Sequence, residues 1–204
     1  MAEIEAQGTV FAIKAGTGAA ENITDITLGA ITKIELTATA RVKGDVVTLA
    51  AIVGTTELNG VTAMVIAAET NAIYLDIDST GYGAYTSGGT ATPNTYTTIG
   101  EITGWSRGMG TRPERDITDL ADDERIFSPG LFERGQVSLN VKWSHTDTGF
   151  LAVLAAHAAG DVKEYKVTYA DAEYEVFNGF VLSAEESGQV GDIITGSITL
   201  RIYA

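Results

Sequence analysis

Histidine is the first residue type to examine for catalytic chemistry, and this chain has only two, His145 and His157. A Ser–His–Asp centre would have to use one of them, but the sequence contains no G-x-S-x-G nucleophile motif. His157 falls near the end of a predicted helix, where the helix dipole favours a cation. We therefore expect structural roles for both histidines and no catalytic residue.

Metal and cofactor motifs are equally weak. The segment Asp76–Gly81 (DIDSTG) copies the opening of a calcium-binding loop, but Ser87 stands where a bidentate glutamate is needed. It is interpreted as a polar transition from strand to turn. The absence of cysteine excludes disulfides, thiolate metal sites and cysteine nucleophiles. Gly16–Gly18 lacks the third glycine of a dinucleotide fingerprint. We expect no metal, no cofactor and no enzyme activity.

The net charge and the distribution of apolar residues disfavour two classes of partner, nucleic acids and membranes. Acidic residues outnumber basic ones by 27 to 13, which gives a formal net charge of −14. Such a surface repels the phosphate backbone and disfavours specific binding of nucleic acid. The start of the chain, MAEIEAQG, is acidic rather than apolar, so no secretory signal is expected. No apolar run approaches the ~18 residues of a membrane span, so no membrane partner is expected.

Strands dominate the predicted secondary structure. Gln136–Trp143 alternates cleanly, with Val137, Leu139, Val141 and Trp143 on one face. A period of two with one polar face predicts a half-buried sheet. The last strand candidates are Lys163–Tyr169, Glu173–Ser183 and Ile193–Tyr203.

One helix is predicted, Thr148–Ala159. Thr146 or Asp147 can cap its start, and Gly160 stands where a left-handed residue ends a helix. Its apolar face is predicted to carry Phe150, Leu151, Leu154 and Ala158.

Residues 19–92 differ in texture, being rich in Thr, Ala, Gly, Val and Ile. Short strand candidates follow one another there, separated by turn signals such as Asn59-Gly60 and Glu69–Asn71. The segment Ser87–Thr95 (SGGTATPNT) is predicted to be a Gly/Ser/Thr/Pro joint at the boundary of this region.

Residues 107–130 are predicted to form a long charged connection. Within it, apolar residues are spaced through the charges of the acidic loop Glu114–Glu124 and of the residues that follow it. A purely solvated loop is the plain alternative, but a loop meant only for water rarely carries so many apolar residues. The interpretation is an arm that contacts a partner. Its candidate anchors are Ile117, Leu120, Ile126, Phe127 and Leu131.

The pieces IGEITGWS, DITDLAD, FSPGLFERGQVSLNV and IITGSITLRIY resemble the major tail tube protein family of long-tailed phages, in order and spacing. With Thr9–Ala15 as first strand, the resemblance covers residues 1–18 and 93–204. It implies a β-sandwich or barrel with one flanking helix, and homohexameric rings that stack into a DNA-conducting tube. It also implies location in the virion tail after assembly in the host cytoplasm, with tape measure, terminator and distal tail proteins as further partners.

Residues 19–92 interrupt that family pattern and resemble a small β module of phage structural proteins, labelled after a half-domain of ubiquitin-activating enzymes. The matching pieces are VGTTELNG and DSTGYGAYTSGG. A surface insertion is tolerable because loop-closure cost grows slowly with length. The resemblance therefore implies a discontinuous tube domain and an inserted all-β domain on the tube exterior.

Acids are hypothesised to line or rim the lumen of such a tube, where they would keep DNA from sticking. Glu185, Glu186 and Asp192 fall in a segment that is predicted to be turn-like, and Glu173 and Glu175 share one strand face.

Two alternatives stay open at this point. One is another component on the same fold, such as a tail terminator or the inner tube of a contractile or secretion system. The other is a secreted adhesin or carbohydrate-binding protein, for which Tyr82 and Tyr85 are the candidate aromatic platform.

Overall fold

The computed structural model of the chain describes residues 6–38, 41–120 and 123–203. The strands of its first half are β1 (Val10–Thr17), β2 (Glu21–Thr27), β3 (Thr32–Leu36), β4 (Val46–Val53), β5 (Thr62–Glu69), β6 (Ala72–Leu75) and β7 (Ser87–Thr98). Those of the second half are β8 (Ile102–Arg107), β9 (Glu114–Asp116), β10 (Phe127–Pro129), β11 (Gln136–Lys142), β12 (Lys163–Thr168), β13 (Tyr174–Ser187) and β14 (Thr195–Ile202). Helix α1 (Thr148–Ala159) lies between β11 and β12. The predicted mainly β fold with one helix is confirmed.

The chain divides into two compact units. The first comprises the residues up to Gly8, Lys14–Tyr96 and Thr168–Glu175. The second comprises Thr9–Ile13, Thr97–Val167 and the residues from Val176 onward. The predicted inserted domain, residues 19–92, falls within the first unit, and its separate folding stays a prediction.

The first unit contains a closed six-stranded barrel. The hydrogen-bonded order is β2-β3-β6-β5-β4-β7, and β7 returns to β2 by pairing Ala91 with Glu21. Alternation builds the interior, as on β3, where Thr32, Ile34 and Leu36 are buried and the residues between them are half-buried. Because closure uses both edges of every strand, these six strands offer no free edge over the described residues.

The core of this barrel is almost entirely aliphatic. Its buried members are Ile23, Ile26, Ile34, Leu36, Val47, Leu49, Ile52, Leu58, Val65, Ile73, Leu75 and Ala91. Two turn predictions are confirmed, since Gly60 has φ 82° and Asn71 has φ 60°. Glycine and asparagine are the residues that adopt this left-handed region most readily.

The predicted joint Ser87–Thr95 is a strand and not a turn. These residues begin β7, which pairs with β4 from Ser87 opposite Val53 to Pro93 opposite Val47. Proline lacks an N–H donor, but its carbonyl still accepts a hydrogen bond from Gly18 N at 2.7 Å. The Thr residues suit a strand, and closure of the barrel requires this segment to be extended.

The second unit contains the sheet order β1-β12-β13-β14-β11-β8. Strand β11 pairs with β14 on one side and β8 on the other, and its Val137, Leu139 and Val141 are buried, as the alternation predicts. Strand β8 ends the order over the described residues and so forms an edge of this sheet.

The predicted helix bounds are confirmed for α1. Asp147 caps its start, since Oδ1 accepts a hydrogen bond from Phe150 N at 2.6 Å. Gly160 ends it in the left-handed conformation, with φ 69°. At 12 residues, this described helix falls short of the ~20 that a helical membrane crossing needs.

The predicted apolar face of α1 is wrong in part. Phe150 is buried as expected, but Val153 and Ala156 join it, whereas Leu151 and Ala158 are exposed. The helix is apolar on every side, so the sequence period does not select the face that packs. Tertiary packing makes the selection, with Phe150 in edge-to-face contact with Trp143 at 5.0 Å between ring centroids.

Candidate assembly site

The segment 107–130, predicted to be a long charged connection, contains a β-hairpin that was not predicted. Strands β9 and β10 pair antiparallel, with Arg115 opposite Ser128. The ladder continues outward where Ile117 N donates to Ile126 O at 2.9 Å. Each strand has only three residues and most are charged, so the sequence shows no apolar alternation. Ala121 and Asp122 of the predicted acidic loop lie outside the described residues.

The hairpin continues the pairing of β8 with β11 beyond the ends of these two strands. Gly108 N donates to Gln136 O at 2.8 Å, and farther out Thr111 and Glu133 exchange backbone hydrogen bonds of 3.0 and 2.8 Å. A Cβ on Gly135 would overlap the carbonyl oxygen of Gly108, so only glycine fits where the two strands approach. The arm, defined here as residues 108–135, is therefore an extension of the sheet of the second unit.

All five predicted anchors of the arm are exposed in the single chain. Ile117 and Ile126 lie opposite each other in the ladder and so share one face, while Phe127 lies on the other face. The exposed fractions are 53% for Ile117, 108% for Leu120, 43% for Ile126, 50% for Phe127 and 88% for Leu131. Apolar side chains concentrated on one projecting hairpin are typical of a contact surface.

Two of the five hypothesised lumen acids lie in the first unit and have partners there. Glu173 accepts a 2.8 Å hydrogen bond from Lys43 Nζ, and this bond raises the pKa of the lysine. Tyr169 donates its hydroxyl to Glu175 at 3.4 Å. Glu173 is exposed and Glu175 is half-buried.

The other three acids belong to the β13–β14 hairpin in the second unit. The expectation that Glu185 and Glu186 lie in a turn is wrong, because both lie on β13, opposite Ser197 and Gly196. As neighbours on a strand they point to opposite faces, and both are exposed. Asp192 is in the turn itself.

That turn carries a feature that the sequence analysis missed. The tip, defined here as residues 188–194, exposes Val190 and Ile193, at 108% and 66%. Aliphatic residues on both sides of Gly191 in a predicted turn would have been the signal, because turns normally carry polar residues.

The histidines occupy structural or surface positions. His157 Nδ1 lies 3.3 Å from Val181 O, which ties α1 to β13 within the second unit. His145 is exposed, at the start of the connection to α1.

The calcium-like segment forms a hydrogen-bonded turn. Asp78 accepts hydrogen bonds from Thr80 Oγ1 at 2.7 Å and from Thr80 N at 3.1 Å, and these bonds lower the pKa of the carboxyl group. Ser79 is buried and lies 2.8 Å from Thr32 Oγ1. Among the described residues, no group of three or more acids and histidines is arranged to hold a metal ion.

The two candidate platform tyrosines pack against the barrel. Tyr82 and Tyr85 are both partly buried against the aliphatic core of the first unit. The Tyr85 hydroxyl lies within hydrogen-bond distance of two backbone carbonyl oxygens, Gly88 O at 2.9 Å and Ile23 O at 3.2 Å.

Comparison with known proteins yields one family. The model of the family described as lambda phage tail tube protein, TTP, matches residues 77–203, more than half of the chain. No curated protein matches the chain.

Proposed function

The chain belongs to the lambda phage tail tube protein family, and on that premise we propose that it polymerises as stacked hexameric rings into the tube that conducts DNA during ejection. The family gives the chain a structural role in the phage tail. Its proposed partners are further copies of itself together with tape measure, terminator and distal tail proteins. Assembly in the host cytoplasm is part of the same proposal.

The exposed apolar arm is the observation that carries this proposal. Burying a large aliphatic side chain contributes roughly 1.5–3 kcal/mol, and Leu120 and Leu131 are almost wholly exposed in the single chain. The arm is held by backbone hydrogen bonds before any partner arrives, which reduces the entropy lost on docking. A preformed apolar hairpin therefore suits repeated contact between identical subunits.

The edge strand β8 supports the proposal from a second direction. It ends the sheet order of the second unit, and the arm continues directly from it. Strand edges pair readily with other chains, and a closed ring of subunits uses up every edge. The closed barrel of the first unit has no such edge over the described residues, which suits a module that decorates a polymer.

Amide hydrogen exchange tests the arm. Ile117, Ile126 and Phe127 should exchange slowly in the polymer and faster in the monomer, because their amides and side chains become covered on assembly. The barrel core, for example Leu49 and Ile73, serves as the internal control and should exchange equally slowly in both forms. Equal, fast exchange of the arm in both forms would exclude it from the interface.

We propose that Glu185 and Glu186 of β13 line or rim the lumen. At physiological salt the screening length is ~8 Å, so only acids close to the passing DNA would repel it. The pair Glu185→Gln and Glu186→Gln should leave polymerisation intact and slow DNA delivery by a phage that carries the variant. The same change at Glu173 and Glu175 is the matched comparison, because those acids already have partners in the first unit. If DNA delivery is unchanged in the variant with Glu185→Gln and Glu186→Gln, these acids contribute to solubility and do not repel the passing DNA.

We place residues 19–92 outside the tube wall, as a module that is dispensable for assembly. The likeness of this module to a ubiquitin-activating-enzyme half-domain stays a prediction. Within the first unit, the barrel also contacts the start of β13 and the residue before it. The Tyr174 hydroxyl donates a hydrogen bond to Val65 O at 3.0 Å, and Lys43 forms an ion pair with Glu173. Deleting the module alone would leave the Tyr174 ring uncovered.

The deletion is therefore designed with a correction for that ring. Residues 19–92 are replaced by a short Gly/Ser linker, with and without Tyr174→Ser. The expected result is that the corrected variant forms tubes. A corrected variant that folds but does not polymerise would show that the module belongs to the wall.

A further inference from the structure

The tip of the β13–β14 hairpin is a tight turn with an aliphatic apex. Asp192 N donates to Gln189 O at 3.1 Å, and Gly191 takes φ 88°. Val190 is fully exposed at this turn and Ile193 is 66% exposed, so neither belongs to the buried core of its own chain. Turn positions favour polar residues, so an aliphatic apex indicates a contact surface.

A small polar hollow lies beside this apex. Its volume is about 130 Å³, and its walls are Ser187, Gly188, Gln189, Asp192, Ile193 and Thr195. One carboxylate and several neutral acceptors around a small open hollow suit a cationic group that donates several hydrogen bonds. A guanidinium matches that requirement better than an ammonium, because its donors are fixed in a planar fork.

The base of the arm presents the opposite chemistry. Because Thr111 pairs with Glu133, the alternation of side chains puts Arg112, Phe132 and Arg134 on one face. The Arg112 guanidinium lies 5.2 Å from the centroid of the Phe132 ring. Phe132 is about half exposed, and Arg134 is exposed. This face, termed the basal patch, carries one exposed aromatic ring and two exposed arginines.

We infer that the tip of one subunit docks on the basal patch of a second copy, with Arg134 of that copy entering the hollow beside Asp192. The inference rests on the proposed function and names the residues that join its subunits. The aliphatic groups of the tip would contact the aromatic ring of the patch, and the carboxylate would contact the guanidinium groups. The two surfaces are therefore complementary in polarity and in charge. The contact joins two different surfaces of the same chain, and such heterologous contacts propagate from copy to copy into rings or stacks.

Charge reversal tests the pairing. Asp192→Arg and Arg134→Asp should each raise the critical concentration for polymerisation at least about ten-fold, because like charges then meet across the contact. The double variant restores opposite charges and should return to within about three-fold of the unmodified protein, on the same reasoning. Asp25→Arg, an identical change at an exposed residue of the first unit, is the control and should have no effect.

Mixing the two single variants gives a second measurement that does not depend on the double variant folding. In a 1:1 mixture every contact between unlike copies is charge-matched, so the mixture should polymerise where each variant alone does not. Single variants that polymerise like the Asp25→Arg control would overturn the docking and leave the proposed tube intact. A mixture no better than its components would also overturn it. Failure of the unmodified protein to polymerise would instead count against the proposed function.

Discussion

Replacing Leu120 by serine isolates the contribution of the arm to assembly. Leu120 is wholly exposed in the single chain, so the free energy of unfolding should change by less than ~0.5 kcal/mol. If the side chain becomes buried on assembly, its loss removes roughly 2 kcal/mol from the addition of each subunit. Since 1.4 kcal/mol corresponds to a factor of ten, the critical concentration should rise about 30-fold.

The assay is light scattering, or pelleting of polymer, over a series of protein concentrations. Val42→Ser is the matched control, because Val42 is also aliphatic and 60% exposed but lies in the first unit. The control should polymerise at the same concentration as the unmodified protein. If Leu120→Ser and Val42→Ser have equal critical concentrations, the arm is a solvated loop and the reasoning fails.

Four further predictions concern the second unit alone. Tyr165 is buried and its hydroxyl has no hydrogen-bond partner among the described residues. Tyr165→Phe should therefore raise the free energy of unfolding by about 1 kcal/mol in chemical denaturation. A large decrease in the free energy of unfolding would instead show that the hydroxyl has a partner. Burial also raises the pKa of Tyr165 from 10.0 to about 12, so the folded state keeps this proton at a pH where the unfolded state has lost it, and the free energy of unfolding should fall as the pH rises from 10 towards 12. Tyr165→Phe should lack this part of the loss in denaturation at alkaline pH. Equal losses in both proteins would contradict the prediction. Asp147→Ala removes the cap on Phe150 N and should cost about 1 kcal/mol in thermal unfolding, whereas an unchanged midpoint would mean that water replaces the cap. Gly135→Ala forces a side chain against Gly108 O and should speed amide exchange throughout the arm; normal protection would show that the two strands can separate without loss.

The second unit was the more predictable part of the fold. Strand β11 and helix α1 carry local signals that tertiary context reinforces: strict alternation in one, and the caps Asp147 and Gly160 in the other. The face of α1 was not predictable, because residues such as Leu151 make the exposed side as apolar as the buried side.

The barrel and the arm required information that local sequence does not hold. Ser87–Thr95 has the composition of a joint, but it is a strand because β2 and β4 need a common neighbour to close the barrel. The arm hairpin has strands of three residues, too short for a periodic signal. Its apolar residues were still identifiable, since they stood out among the charges.

The tip was missed for a different reason. Val190 falls in a segment with turn-like composition and Ile193 at the start of a predicted strand, and neither pattern indicates exposure. Only the structure shows that these aliphatic side chains are exposed and that a polar hollow lies beside them.

The central claim is that copies of this chain build a tube, and electron microscopy of the purified protein above its critical concentration tests it most directly. The account predicts hollow tubes made of stacked six-fold rings, with arm density running from each subunit to a neighbour. Protein that stays monomeric at high concentration, with no rings or tubes in the images, would contradict the account. Single capped rings that never stack would instead assign the chain a terminator-like role on the same fold.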